Sequence, residues 1–202
     1  MKLLKDEIYD TILLVARNEF IQRGYKDTSM REIASKADVG LSNIYNYFKN
    51  KDDIFKAVVK PAKNDIFTFI TQQHTAENIN ITRISPYGHE EEAVSYFIDL
   101  MQKYKEEYRL LLFYSEGSSL CNFRQELTEH MAEISHHYME LEKTYKPNNK
   151  EISPFFIHAM SSWMVSVIGE IVTHNLDREH IRKFFHEYFQ FTYAGWRELT
   201  ET

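Results

Sequence analysis

A chain of 202 residues with 43% hydrophobic and 27% charged side chains can bury one large core or two small ones and is not a disordered polypeptide. Its single cysteine, Cys121, excludes an internal disulfide and any paired-cysteine zinc or redox motif. The net charge of −6 argues against general polyanion binding, but the charge is uneven: residues 1–60 hold 11 Lys and Arg against 9 Asp and Glu, and residues 61–202 hold 13 against 21. The pattern is a small, mildly basic head on a large acidic body. The opening "MKLLKDEIYD" places charges too early for a signal-peptide core, and apolar runs such as "ILLVA" are too short to span a bilayer. A cytoplasmic protein without a membrane partner is expected.

Four prolines, six glycines and little β-branched alternation predict long helices. Residues 3–22 form the first, with Ile8, Ile12, Ala16 and Phe20 on one stripe and Gly24 at the left-handed position beyond its end. Ser29 with Glu32 is a capping box opening a short helix over 29–37, which buries Met30, Ile33, Ala34 and Ala37. A third helix covers about 41–47. Asn50 with Asp53 caps a fourth starting at Lys51, which Pro61 should kink or interrupt. Residues 78–90 read as a loop, and helices are expected over about 90–108, 122–145, 154–175 and 178–199.

The second and third helices, joined by a tight turn, meet the packing needs of a helix-turn-helix. Ala34 is small where the next helix crosses, and Ile44 and Phe48 hold that helix down. Ser42, Asn43, Tyr45, Asn46 and Tyr47 are left for its surface, Tyr47 being expected as the more exposed tyrosine. Asn can bond bidentately to adenine, and Ser and Tyr hydroxyls reach bases or phosphates. Lys49 and Lys51, beside a helix start, suit phosphate. Thr28 and Ser29 at the start of the second helix and Leu41 at the start of the third complete the expected DNA-binding set.

The strings "GYKDTSMREIASKADV" and "LSNIYNYFKNKDDIF" resemble the TetR (tetracycline-repressor-like) family of bacterial regulators, over about residues 8–56. Gly-aromatic, Thr-Ser, Ile-Ala, Ile-Tyr-x-x-Phe and Lys-x-Lys-acidic-acidic-apolar elements recur in order. The resemblance implies an all-α protein: a three-helix DNA-binding head with a helix-turn-helix, residues 1–50, and a larger helical ligand-binding and dimerisation body, residues 51–202. Two departures stand out. Asp38 occupies the turn where the family commonly has glycine, and Gly40 takes a serine-like cap position; Asp tolerates a left-handed backbone and Gly is an acceptable N-cap.

No two histidines are three or four residues apart, and "EISH" at 133–136 stands alone, so no metal site is expected and no cofactor is called for. Cys121 reads as an inert small residue. With 14 Phe and 13 Tyr, the body has more aromatics than a filled bundle needs, and Tyr104, Tyr108, Tyr114, His137 and Trp163 are candidates to line a small-molecule pocket. The last two helices are apolar on more than one face. Phe156, Met160, Trp163, Val167, Phe184, Phe185 and Tyr188 are therefore expected at a two-fold dimer interface built as a four-helix bundle. The function expected is a homodimeric DNA-binding repressor, released from an inverted-repeat operator by an unknown effector, with the helix from Lys51 as the mechanical link. A helical metal-dependent enzyme and a ligand-blind regulator controlled by a protein partner are the alternatives.

Overall fold

The computed structural model describes residues 5–73, 90–174 and 176–200, and every regular element among them is helical. In chain order these are α1 (Lys5–Arg23), α2 (Met30–Lys36), α3 (Leu41–Ile44), α4 (Lys51–Gln73), α5 (Glu90–Lys103), α6 (Lys105–Phe113), α7 (Phe123–Tyr145), α8 (Pro154–Thr173) and α9 (Arg178–Thr200). The loop expected over 78–90 falls, up to 89, outside the described residues.

Local chemistry sets most boundaries. α1 ends where Gly24 turns to φ 75 and its N–H bonds the Phe20 carbonyl at 2.7 Å, a backbone region open to glycine. The capping box of α2 is complete: the Glu32 N–H donates to the Ser29 hydroxyl, and the Ser29 N–H to the Glu32 carboxylate. Asp38 takes φ 52 in the turn and Gly40 is the N-cap of α3, both as expected. Asn50 Oδ1 accepts from the Asp53 N–H at 2.9 Å, and Ser153 caps α8 by accepting from the Phe156 N–H.

Three expectations need correction. Pro61 lies inside α4 without interrupting it; it is exposed, so water can reach the Ala57 carbonyl that its missing N–H leaves unpaired. The helix expected over 90–108 is two, because Tyr104, at φ −117 and ψ 25, leaves helical geometry between α5 and α6. α8, with 20 residues and mean hydropathy 1.5, is long and apolar enough to cross a membrane by length and composition. Eight of its residues, among them Ile157, Val165, Ile168 and Val172, are buried.

The chain divides into two compact units. The first joins Met1–Asn64 to Tyr104–Arg124. Its core is Ile12, Ala16, Phe20, Ile33, Ile44, Ile54 and Phe55, each essentially inaccessible, with Phe20 and Tyr25 both within 5.1 Å of Phe55, ring to ring. Residues 105–119 are tied to this core. The buried Glu107 accepts from Arg17 at 2.5 Å, the Tyr25 N–H donates to the Tyr114 carbonyl at 2.9 Å, and the Ser119 N–H donates to Asp52 at 2.7 Å. The second unit joins Asp65–Lys103 to Gln125–Thr202. There Phe97 of α5 meets Phe185 of α9 edge-on at 5.0 Å, and Arg178 bonds Asp99 at 2.5 Å and the Ser95 hydroxyl at 2.6 Å.

Candidate nucleic-acid interface

α2 and α3 form the helix-turn-helix that the spacing required. Ala34 (5% exposed) and Ile44 (0%) are both buried in it. α3 is shorter than the expected 41–47. Its α-helical part ends at Ile44, and residues 45–47 continue as tight turns, with the Asn46 N–H bonding Asn43 and the Tyr47 N–H bonding Ile44. Phe48, buried, seals the end.

The outward face of this segment carries Ser42, Tyr45 and Asn46, all exposed, with Leu41, Asn43 and Tyr47 half-buried. Asn43 Oδ1 accepts from Asn46 Nδ2 at 3.1 Å, which orders the two amides side by side. The tyrosines are ranked opposite to expectation. Tyr45 is the exposed one at 52%, whereas Tyr47 lies 6.4 Å from Tyr9 of α1, whose ring stacks on Phe48 at 5.1 Å. Nothing in the local sequence pairs Tyr9 with position 47; only the fold does.

Three more expected contacts are placed differently. Thr28 is buried, and its hydroxyl donates to the Gly24 carbonyl at 2.8 Å, so its side chain serves the end of α1 rather than a phosphate. Ser29 is exposed but committed to the capping box. Lys51 is half-buried, and its ammonium donates to the carbonyls of Tyr25, Thr28 and Lys26 at 2.7, 2.7 and 3.3 Å, which replaces the expected free cation with a saturated one. Lys49 is exposed and makes no ion pair with another described residue.

Ion pairing decides which other cations face solvent unneutralised. Glu19, buried, takes Lys36 at 2.5 Å and Arg23 at 4.0 Å; Arg23 also binds Glu32, and Lys26 binds Glu116 at 2.8 Å. Bonding to Glu107 raises the Arg17 guanidinium further above its usual range, against the cost of its burial. The hydroxyl and N–H of Ser29, and then Arg23, hold Glu32 below the usual carboxylate range. Arg31, at the second position of α2, is exposed and makes no ion pair with another described residue. The sequence reading passed over it, although an arginine in the first turn of the helix before a recognition helix was a readable signal.

In the second unit, His137 is exposed on α7, and Trp163 of α8 packs 5.3 Å from Tyr188 and 6.0 Å from Phe191 of α9. Tyr104 and Tyr108 belong to the first unit, edge to face at 6.1 Å, with the Tyr108 hydroxyl donating to the Ala62 carbonyl; Tyr114, also there, is 49% exposed. The five pocket candidates are thus shared between the units. An open depression of about 400 Å³ in the second unit is lined by Phe67, Thr68, Thr71, Gln72 and His130, with His130 3.3 Å from the Thr71 hydroxyl and 4.7 Å from the Phe67 ring.

Of the expected dimer-interface residues, Phe185 (2% exposed) and Val167 (8%) are buried within the chain itself. Helical pitch turns them inward, toward Phe97 in the case of Phe185. Phe156, Met160, Phe184 and Tyr188 are half-buried and Trp163 is 37% exposed. The large apolar groups left most exposed on α8 and α9 are Phe155 (80%) and Phe191 (68%), with Tyr193 and Leu199. Among the described residues no cluster of three His, Cys, Asp or Glu side chains could hold a metal ion.

Residues 12–58 match the sequence profile described as bacterial regulatory proteins, tetR family. The match spans the helix-turn-helix and the start of α4. Over 110 residues, 54% of this chain and 48% of the relative, it is 27% identical to the HTH-type transcriptional activator FasR of Mycolicibacterium smegmatis. Over 47 residues, 23% of this chain and 25% of the relative, it is 45% identical to the HTH-type transcriptional regulator YhgD of Bacillus subtilis. The chain therefore spans about half of one of these relatives and a quarter of the other. A TetR-like transcriptional regulator from Rhodococcus sp. RHA1 shares the fold with a TM-score of 0.62 over 96% of this chain and 100% of its own, at 17% identity. The segment that matches the profile thus sits in a chain whose described course has a TetR-like fold.

Proposed function

We propose that this chain is a DNA-binding transcription regulator, a homodimeric repressor whose two heads read the half-sites of an inverted repeat and are released by a small-molecule effector. The observation that carries the reading is the solvent-facing surface of the helix-turn-helix. Ser42, Asn43, Tyr45 and Asn46 present hydrogen-bonding groups on α3 and the turns that continue it, held down by Ile44 and Phe48 and flanked by the exposed cations Arg31 and Lys49. That combination supplies base-edge donors and acceptors together with phosphate neutralisation. Reading of DNA is assigned to residues 1–50, and effector binding and dimerisation to residues 51–202.

The apolar surface left on α8 and α9 supports a two-fold partner, because exposed Phe155 and Phe191 are costly to leave in water. Two heads related by such an axis meet half-sites about one DNA turn apart, so an effector that changes their separation opposes binding. Selection of bound fragments from a random double-stranded library by the purified protein tests the proposal. An enriched inverted repeat is expected, and a reporter under that repeat should be repressed. Recovery of no sequence above the starting library removes the DNA-binding reading.

A further inference from the structure

Lys51 is the first residue of α4, and its ammonium is enclosed by peptide groups. Its three protons are accounted for by the carbonyls of Tyr25, Thr28 and Lys26, since an ammonium has three donors and no acceptor. The charge also lies 4.2 Å from the centroid of the Tyr25 ring, a cation–π contact. Burial pushes this ammonium below the usual lysine range, although Asp27 and Glu32 act in the other direction.

The acceptors have a common location. All three belong to the turn between α1 and α2, and Thr28 immediately precedes Ser29, the N-cap of α2. The same turn is held from its other side by the Tyr25 N–H on the Tyr114 carbonyl and by the Thr28 hydroxyl on the Gly24 carbonyl. Where α2 begins, and therefore where Arg31 and the packed α3 lie, is set by peptide groups that Lys51 ties to the start of α4. We propose that Lys51 is a positioning residue of the DNA-reading head, fixing the Tyr25–Thr28 turn and through it the amino end of α2, without itself neutralising a phosphate. The assignment rests on the DNA-binding reading above.

A phosphate contact and a positioning role differ in two measurable respects. A lysine on phosphate releases counterions, so its loss flattens the salt dependence of binding by about one unit per head, and arginine can replace it. A lysine that spends its protons on three converging carbonyls contributes nothing to the salt slope. Its site also does not suit a planar guanidinium, whose donors form a rigid fork.

The test uses the full chain, the selected operator, and the Lys51→Met and Lys51→Arg variants, titrated at several salt concentrations and at a temperature where each is folded by circular dichroism. Both variants should lose about tenfold or more in operator affinity while the slope of log K against log[salt] stays at the wild-type value. A slope reduced by about one per head in Lys51→Met, or wild-type affinity in Lys51→Arg, overturns the assignment. The wild-type protein provides a readout that needs no variant. The side-chain ¹⁵N signal of Lys51 should be visible in the free protein, protected from water exchange, and unmoved when operator is added. A signal lost to exchange, or one that shifts on DNA binding, overturns the assignment as well. Should the wild type bind no DNA, the functional reading fails by itself, while the free-protein signal still decides whether the ammonium is held as described.

Discussion

Replacing Phe191 by Glu separates burial within a protomer from burial between protomers. Phe191 is 68% exposed, beside the 37%-exposed Trp163 at 6.0 Å. An aromatic side chain buries about 150–250 Å² when fully covered. The roughly two-thirds still open here corresponds to about 3 kcal/mol at about 25 cal/mol per Å². Two-fold symmetry uses the residue twice, so the substitution removes about 6 kcal/mol per dimer, or about four powers of ten in dissociation constant. The unpaired carboxylate adds to this. Folding of the protomer should change little, because the side chain already faces water. Phe185→Ala is the contrasting case. At 2% exposure and 5.0 Å from the Phe97 ring, its truncation should cost about 3–5 kcal/mol of folding stability. Sedimentation equilibrium over a wide concentration range, with thermal melts of both variants, gives the two quantities. If Phe191→Glu dimerises as tightly as the wild type, the α8–α9 surface is not the interface.

Asn43→Ala should cost about 1–3 kcal/mol per half-site on the selected operator and leave binding to random DNA nearly unchanged, as read by fluorescence anisotropy on both DNAs; equal losses on the two would show that this amide reads no base. Asp52 is a pH-dependent tie between α4 and the segment after α6. Burial alone would raise its pKa, but the Ser119 N–H and Lys56 outweigh burial and hold it below the usual carboxylate range. A depressed carboxylate stabilises the fold above its unfolded pKa and loses that contribution as pH falls through the folded one. Asp52→Asn should therefore melt lower than wild type at neutral pH, by about 1 kcal/mol, with the gap closing only in strong acid. A gap that does not vary with pH would assign the loss to packing instead.

What could be read from sequence were features whose cause is local. The Ser29 and Glu32 box, Asn50 before Asp53, Gly24 at a positive φ and Asp38 in the turn all involve partners within four residues, and each stands where spacing put it. The features that escaped depend on partners far along the chain. Glu107 meets Arg17, and Ser119 meets Asp52, across separations of 90 and 67 residues, and no periodicity signals that residues 105–124 pack with the head. Phe185 and Phe191 are the same side chain on the same helix, and only packing against α5 tells core from surface. Lys51 looked like a phosphate ligand because a cation at a helix start has that chemistry; three distant carbonyls happen to satisfy it first.

The same pairing bears on how strongly binding should respond to salt. Residues 1–60 contain 11 cations, and a count by composition would let most of them release counterions. The structure withdraws six. Arg17, Arg23, Lys26, Lys36 and Lys56 are matched to carboxylates, and Lys51 to carbonyls. Within the helix-turn-helix and the residues that close it, Arg31 and Lys49 are the exposed cations that make no ion pair with another described residue. Two per head make about four phosphate contacts per dimer, and at about 0.9 unit each the slope of log K against log[salt] should be about −4. Arg31→Ala should reduce that slope by about one unit per head, the change that Lys51→Met should not produce. A wild-type slope near −10 would mean that the carboxylate pairs open on DNA and release their cations to phosphate, and the internal ion pairs of the head would then be competitors of the operator rather than fixtures of the fold.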